Sequence, residues 1–211
     1  MKPPFYKAVD PTFLYVLALT ERVQAGEQLN PDEERAKICA RLDAAETKLA
    51  QQGQKQEWEL AKYAIASWID ELLAADLWDS APLEFELFKT AKRSHEFYNR
   101  AEAAMSLPRK DALECFYITV VLGFRGMYSS HEALMEEREF LDFQPPDSLE
   151  AWAKRVGGVI QIANDVPKQS GLPRSVPGAR LREGKFKCIG AWAMGVLLAA
   201  AAFLAWRYTL T

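Results

Sequence analysis

Apolar residues recur every three or four positions along most of the first 165 residues, and no alternation of strand period runs beyond four. A first helix is expected over about 11–25, with FLYVLAL as its buried face. A second opens at Asn30 as N-cap, with Pro31 first and Glu33 third in the helix, and continues to about Gln52. The third, EWELAKYAIASWIDELLAAD, lines up Ala61, Ala64, Ile65, Trp68 and Leu72 in one stripe. Trp78, Asp79 and Pro82 mark a turn before a short fourth helix, LEFELF, and Ser94 reads as the cap of a fifth through HEFYNRAEAAM. Asp111 opens a sixth, ALECFYITVVL, and HEALMEEREFL and SLEAWAKRVGGVI read as two more. The pattern predicts an all-α domain over residues 1–165.

The sixth helix runs into TVVLGFRGMY, two glycines holding one arginine. Leu113, Phe116, Tyr117, Val120 and Phe124 share a face, and Ile118, Val121 and Leu122 fill much of the rest, so burial nearly all round is expected. Gly123 suits the left-handed residue that ends a helix, where a β-carbon costs about 1 kcal/mol. Arg125 then stands where helix-end carbonyls need donors and the dipole favours a cation. Gly126 lets the chain turn again before Tyr128, and the loop reads as architectural. Its place after a helix rather than before one argues against a phosphate cradle.

The C-terminal part changes the picture. Residues 166–187 hold three prolines and three glycines and form a linker. Residues 188–206, CIGAWAMGVLLAAAAFLAW, carry no charge; as a helix they span about 28 Å, the thickness of a bilayer core. A buried helix of that length would carry a polar stripe, and this one has none. Six cations against one anion between 168 and 187 place the N-terminal domain in the cytoplasm, leaving residues 207–211 as a short periplasmic tail. Within the span Ala191, Gly195 and Ala199 recur every four residues, a face on which a partner's helix or a second copy could pack, although so alanine-rich a span readily produces such spacing by chance.

Charge is divided accordingly. Residues 1–167 carry 19 cations and 28 anions, which argues against nucleic acid as a partner. The basic stretch serves either anionic lipid headgroups or topology alone. Cys39, Cys115 and Cys188 are far apart in apolar or helical stretches and read as reduced packing residues. His95, Glu96, His131 and Glu132 lie in separate segments without metal-ligand spacing and read as solvated helix ends; no nucleotide motif, catalytic triad or cofactor signature accompanies them.

Three stretches together carry a resemblance: YAIASWIDELL (63–73), WDSAPLEFELF with HEFYNR (78–100), and YITVVLGFRGMY (117–128). In order and spacing they resemble DotU/TssL (IcmH) proteins, inner-membrane subunits of type VI and type IVB secretion machines. That resemblance implies a cytoplasmic domain of two packed helical bundles shaped like a hook, followed by one C-terminal transmembrane helix. It implies binding to the large IcmF/TssM membrane subunit, contact with baseplate components in type VI systems, and no enzymatic activity. Type VI is the more widespread of the two. Departures occur at Arg93-Ser94-His95, where the family often has a glycine-rich step, and at Gly126-Met127-Tyr128 in place of Gly-Arg-Tyr. The alternative is a tail-anchored helical adaptor or receptor unrelated to secretion.

Asp70 and Glu71 are the candidate partner-binding residues. A helical wheel centred on Ile65 and Leu72 points Asp70 away from the core and puts Glu71 at its edge. The resemblance implies that the pair lines an acidic cleft for partners. The competing reading is an internal clamp, one carboxylate receiving hydrogen bonds from backbone or from Arg125 and locking two helices together.

Overall fold

The computed structural model of the chain describes residues 1–73, 77 and 82–163. The expected linker, transmembrane span and tail, with Ala191, Gly195 and Ala199, lie outside the described residues, as do Trp78 and Asp79. Among the described residues no helix is long and apolar enough to cross a membrane, and no strand occurs.

Among the described residues eight α-helices follow in order: α1 (Pro3–Gln24), α2 (Pro31–Ala50), α3 (Lys55–Leu73), α4 (Leu83–Phe88), α5 (Arg93–Ser106), α6 (Asp111–Val121), α7 (His131–Glu137) and α8 (Leu149–Ala163). Short 3-10 turns at Gly126–Ser129 and Arg138–Phe140 flank α7. Asn30 Oδ1 accepts from the Asp32 and Glu33 amides at the start of α2, the satisfaction of first-turn donors that makes asparagine a good cap.

The central element is α3. It packs against α6 most extensively and also against α1, α2, α4 and α5, while α8 packs on α6. Residues 63–70 are buried without a break. The core is correspondingly aromatic: Trp58, Trp68, Trp152, Phe97, Phe116 and Phe124 are among its largest enclosed side chains. Phe97 stacks on Phe124 at 4.0 Å and meets Phe116 edge-on at 4.8 Å, so ring geometry joins α5, α6 and the loop after α6.

Four local expectations need correction. Helix α1 starts at Pro3 and runs through Pro11 instead of starting there. Pro11 is on the exposed side, so the carbonyl it leaves unbonded, that of Lys7, faces water, while Phe5, Val9, Phe13 and Val16 hold both halves to the core. Ser94 does not cap α5: it lies inside the helix, and its hydroxyl donates to Glu137 Oε1 at 2.6 Å. Helix α6 is not enclosed all round, because Val121 is 66% exposed. Asp70 faces inward and is fully buried. The wheel assumed one buried stripe, whereas α3 has neighbours on every side.

Among the described residues Lys89 is the one non-glycine with positive φ, at 57°, ending α4 in the left-handed conformation. A β-carbon there costs about 1 kcal/mol. Lys89→Gly is therefore expected to stabilise the domain by about 0.5–1 kcal/mol in urea unfolding, and a loss of stability would contradict this account of the α4 terminus.

Candidate functional site

The C-terminal turn of α3 presents two consecutive carboxylates that reach in different directions. Asp70 accepts from the amides of Leu83 (2.7 Å, Oδ1) and Glu84 (2.8 Å, Oδ2). Those are the opening donors of α4, whose own flanking residue, Pro82, offers no side-chain cap. Asp70 thus caps a helix thirteen residues away. Burial pushes its carboxyl above the usual aspartate range, against the opposing pull of the two backbone donors and the cations Arg93 and Arg35.

Glu84 continues the chain of contacts. It is fully buried; its Oε1 accepts from the Tyr63 hydroxyl at 2.7 Å and the Lys92 amide at 2.9 Å, and Arg93 approaches Oε2 at 3.9 Å. Burial, followed by the neighbouring Glu84, pushes the Tyr63 phenol far above the usual tyrosine range. Asp70, Glu84 and Tyr63 together tie α3, α4 and the start of α5. Sequence reasoning missed Glu84 and Tyr63. The available signal was a glutamate in the first turn of an otherwise apolar six-residue helix.

Glu71 turns the other way, into the glycine loop. Its Oε1 accepts from the Arg125 amide at 2.6 Å and its Oε2 from the Gly126 amide at 3.0 Å. The carboxylate therefore meets backbone, and the Arg125 guanidinium goes elsewhere, to the carbonyls of Val120 and Phe124 at 3.2 Å. This is the negative end of α6, where a cation is electrostatically favoured. Gly123 has φ 119°; its amide donates to Val120 O at 3.1 Å and the Phe124 amide to Thr119 O at 3.0 Å, the paired bonds of a Schellman motif. The Tyr98 hydroxyl then holds the Arg125 carbonyl at 2.6 Å, and the Tyr128 hydroxyl holds Pro146 O at 2.8 Å.

Gly126 is the tightest point. Its φ is 53°, and a β-carbon there would lie 2.9 Å from the Ser94 carbonyl oxygen and 3.0 Å from the Phe124 ring. At Gly123 a β-carbon would meet nothing within 4 Å. That open side belongs to a cleft of about 170 Å³ lined by Trp68, Glu71, Leu72, Gly123 and Phe124. The structure therefore separates the two candidate acids: Glu71 lines a surface cleft, and Asp70 is enclosed behind it, holding α4.

The histidine and glutamate residues weighed as metal ligands are placed apart. His95 Nδ1 pairs with Glu137, fastening α5 to α7, while His131 and Glu132 are exposed in the first turn of α7. Among the described residues no group of three or more metal-binding side chains occurs.

The sequence profile of the family described as Type VI secretion system protein DotU matches residues 4–211. The chain belongs to the DotU family. Among solved structures, this DotU chain is similar to the cytoplasmic domain of TssL from Acinetobacter baumannii, at 22% identity and a TM-score of 0.58, covering 76% of this chain and 98% of that one. It is also similar to SciP/TssL from enteroaggregative Escherichia coli 042, at 19% identity and a TM-score of 0.49, covering 66% and 93%. No curated protein matches. The A. baumannii structure establishes that the DotU chain has the all-helical fold of a TssL cytoplasmic domain. Family membership makes it a structural component of the type VI secretion apparatus, with partners in that apparatus. The DotU family is associated with the inner membrane.

Proposed function

We propose that this DotU-family chain is the small inner-membrane subunit that binds an IcmF/TssM-like membrane subunit and docks baseplate components, using the cleft beside Glu71. The observation carrying the choice of site is the opening between α3 and the loop after α6, where Glu71, Leu72 and the bare backbone of Gly123 border about 170 Å³ of space. A partner side chain entering there meets an apolar wall and a carboxylate fixed by two amides, a preorganised surface that loses little freedom on binding. Asp70 contributes from behind, by fixing α4 beside the C-terminal end of α3. Gly123, Arg125, Gly126 and Tyr128 hold the far wall. On this reading the helices sharing α3, α1–α2 on one side and α5–α6–α8 on the other, are the two expected bundles. Residues 188–206 are the single anchor, with Ala191, Gly195 and Ala199 its packing face; the domain works in the cytoplasm, and no catalytic role is assigned.

Leu72 is half-buried at the cleft rim and makes the cleanest test. Leu72→Arg in the full chain, produced with its secretion locus, is expected to reduce co-purified large membrane subunit by about tenfold, equivalent to 1.4 kcal/mol. The thermal melting of the domain should stay close to wild type. Undiminished recovery with an intact fold would remove the cleft as the docking site. Failure of the wild-type chain to recover the large subunit would remove the partner itself.

A further inference from the structure

The starts of α1, α3 and α6 and the ends of α2, α5 and α8 gather at one end of the domain. Pro3, Pro4 and Lys7 of α1 border a groove of about 410 Å³ with Lys48 and Gln52 at the close of α2. The Lys2 amide donates to Asp111 Oδ1 at 2.6 Å, and Gln54, buried just before α3, meets the Arg109 guanidinium. Helix α8 runs toward the same end. Its Trp152 packs on Phe97 and Tyr98 of α5, and Arg155 reaches Glu102 at 2.7 Å and Met105 beyond it. Ala163 closes α8 eight residues past Arg155, about 12 Å further along the axis.

This end carries the uncommitted cations of an otherwise acidic domain. Lys2, Lys7, Lys48 and Lys55 are all exposed, and none of their ammonium groups has a hydrogen-bond or ion-pair partner among the described residues. Arg109 and Lys110 are engaged internally, by Asp111 and by the carbonyls that end α5. Of the carboxylates nearby, Glu46, Glu102, Asp111 and Glu114 are ion-paired, which leaves Glu57 and Glu59 against the four lysines. Two large apolar side chains stand out beside the charges: Tyr6 is 49% exposed and Ile162, in the last turn of α8, 82%. Lysines next to an exposed tyrosine and an aliphatic side chain suit the headgroup level of a bilayer.

We propose that this end of the domain docks on the anionic headgroups of the bilayer, with Lys2, Lys7, Lys48 and Lys55 as the contact residues. The inference rests on the reading of residues 188–206 as an anchor. The chain leaves the domain at this end, after Ala163, and residues 164–187 separate that point from the proposed anchor. A tether of this kind supplies headgroups at high effective concentration, so individually weak contacts suffice. Each lysine close to an anionic leaflet strengthens attachment about fivefold, within about 8 Å of the surface at physiological salt. Docking by this end sets the Glu71 cleft, sixteen residues along α3 from Lys55, about 24 Å further from the bilayer, where cytoplasmic partners reach it.

Energy transfer from the full chain to headgroup-labelled lipid tests it, with Cys39 and Cys188 changed to serine, the buried Cys115 retained and a dye on Gln56→Cys or Gln28→Cys. The chain is reconstituted into vesicles of phosphatidylcholine alone, or of phosphatidylcholine and phosphatidylglycerol in equal parts. In the anionic vesicles transfer should be strong from residue 56 and weak from residue 28, which lies between α1 and α2 at the far end. In the neutral vesicles the signal from residue 56 should fall. Lys7→Glu combined with Lys48→Glu should lower the ratio of docked to undocked chain by at least about tenfold in the anionic vesicles, whereas Lys7→Arg with Lys48→Arg should keep it. The basic stretch 168–187 is the same in both variants, so its own attraction for anionic lipid does not account for a difference between them. Equal transfer from residue 56 in the two lipids, as an end reserved for an acidic protein gives, overturns the proposal, and so does an unaltered signal in the glutamate variant. Flotation with anionic vesicles alone keeps the proposal and removes the anchor; flotation with neither removes both.

Discussion

Replacing Asp70 with alanine is expected to cost about 3–5 kcal/mol, a large share of the stability of a domain this size. The side chain is fully enclosed, and both carboxylate oxygens are engaged by the opening amides of α4. Alanine leaves those amides buried without acceptors and opens space against the C-terminal part of α3. Asparagine preserves the volume but offers one acceptor and one donor where two acceptors are needed, so Asp70→Asn should fall between wild type and Asp70→Ala. Urea unfolding of the three proteins checks the order. Near-wild-type stability for Asp70→Ala would mean that the enclosed carboxylate does not hold α4. The result also bears on function: loss of secretion in an Asp70 variant would by itself say nothing about partner contact, because the fold fails first.

Gly126→Ala should come next, at about 2–4 kcal/mol, from left-handed strain together with overpacking. The added carbon would stand 2.9 Å from the Ser94 carbonyl oxygen, a backbone atom of α5 that cannot move without shifting the helix. Gly123→Ala separates the two causes, since it carries a positive φ but meets open space. Its cost is expected to be about 1–2 kcal/mol, from backbone strain alone. Equal destabilisation by both substitutions would show that the close approach of Gly126 to α5 contributes nothing.

Some of this was legible in the sequence because one residue type settles the local geometry. Asn30 before Pro31 marks a helix start by chemistry alone, and LEFELF between a proline and a lysine gives α4 its residues, 83–88. A β-branched run stopped by glycine marks the end of α6, and the neighbouring cation goes to the unsatisfied carbonyls. What could not be read was anything set by neighbours distant in the chain. Asp70 looks solvent-facing on a wheel until α4 is packed beside it. Val121 looks buried until α8 covers a different side of α6. Pro11 looks like a helix start until an apolar face on both sides of it holds the helix together. For the candidate site, Glu71 and the glycine loop lie 54 residues apart in sequence, and no local pattern says that a carboxylate on one binds two amides of the other.

The enclosure of α3 also limits how the protein can be divided. Eight consecutive buried residues at its centre touch both the N-terminal and C-terminal helices, so neither half of the described region keeps its apolar surface covered without the other. A deletion that removes α1 and α2, or one that stops before α6, exposes tryptophan and alanine surface on the same helix. Such fragments should collect in inclusion bodies, while the intact region melts in a single step, making any attempt to map contacts by truncation report on solubility instead.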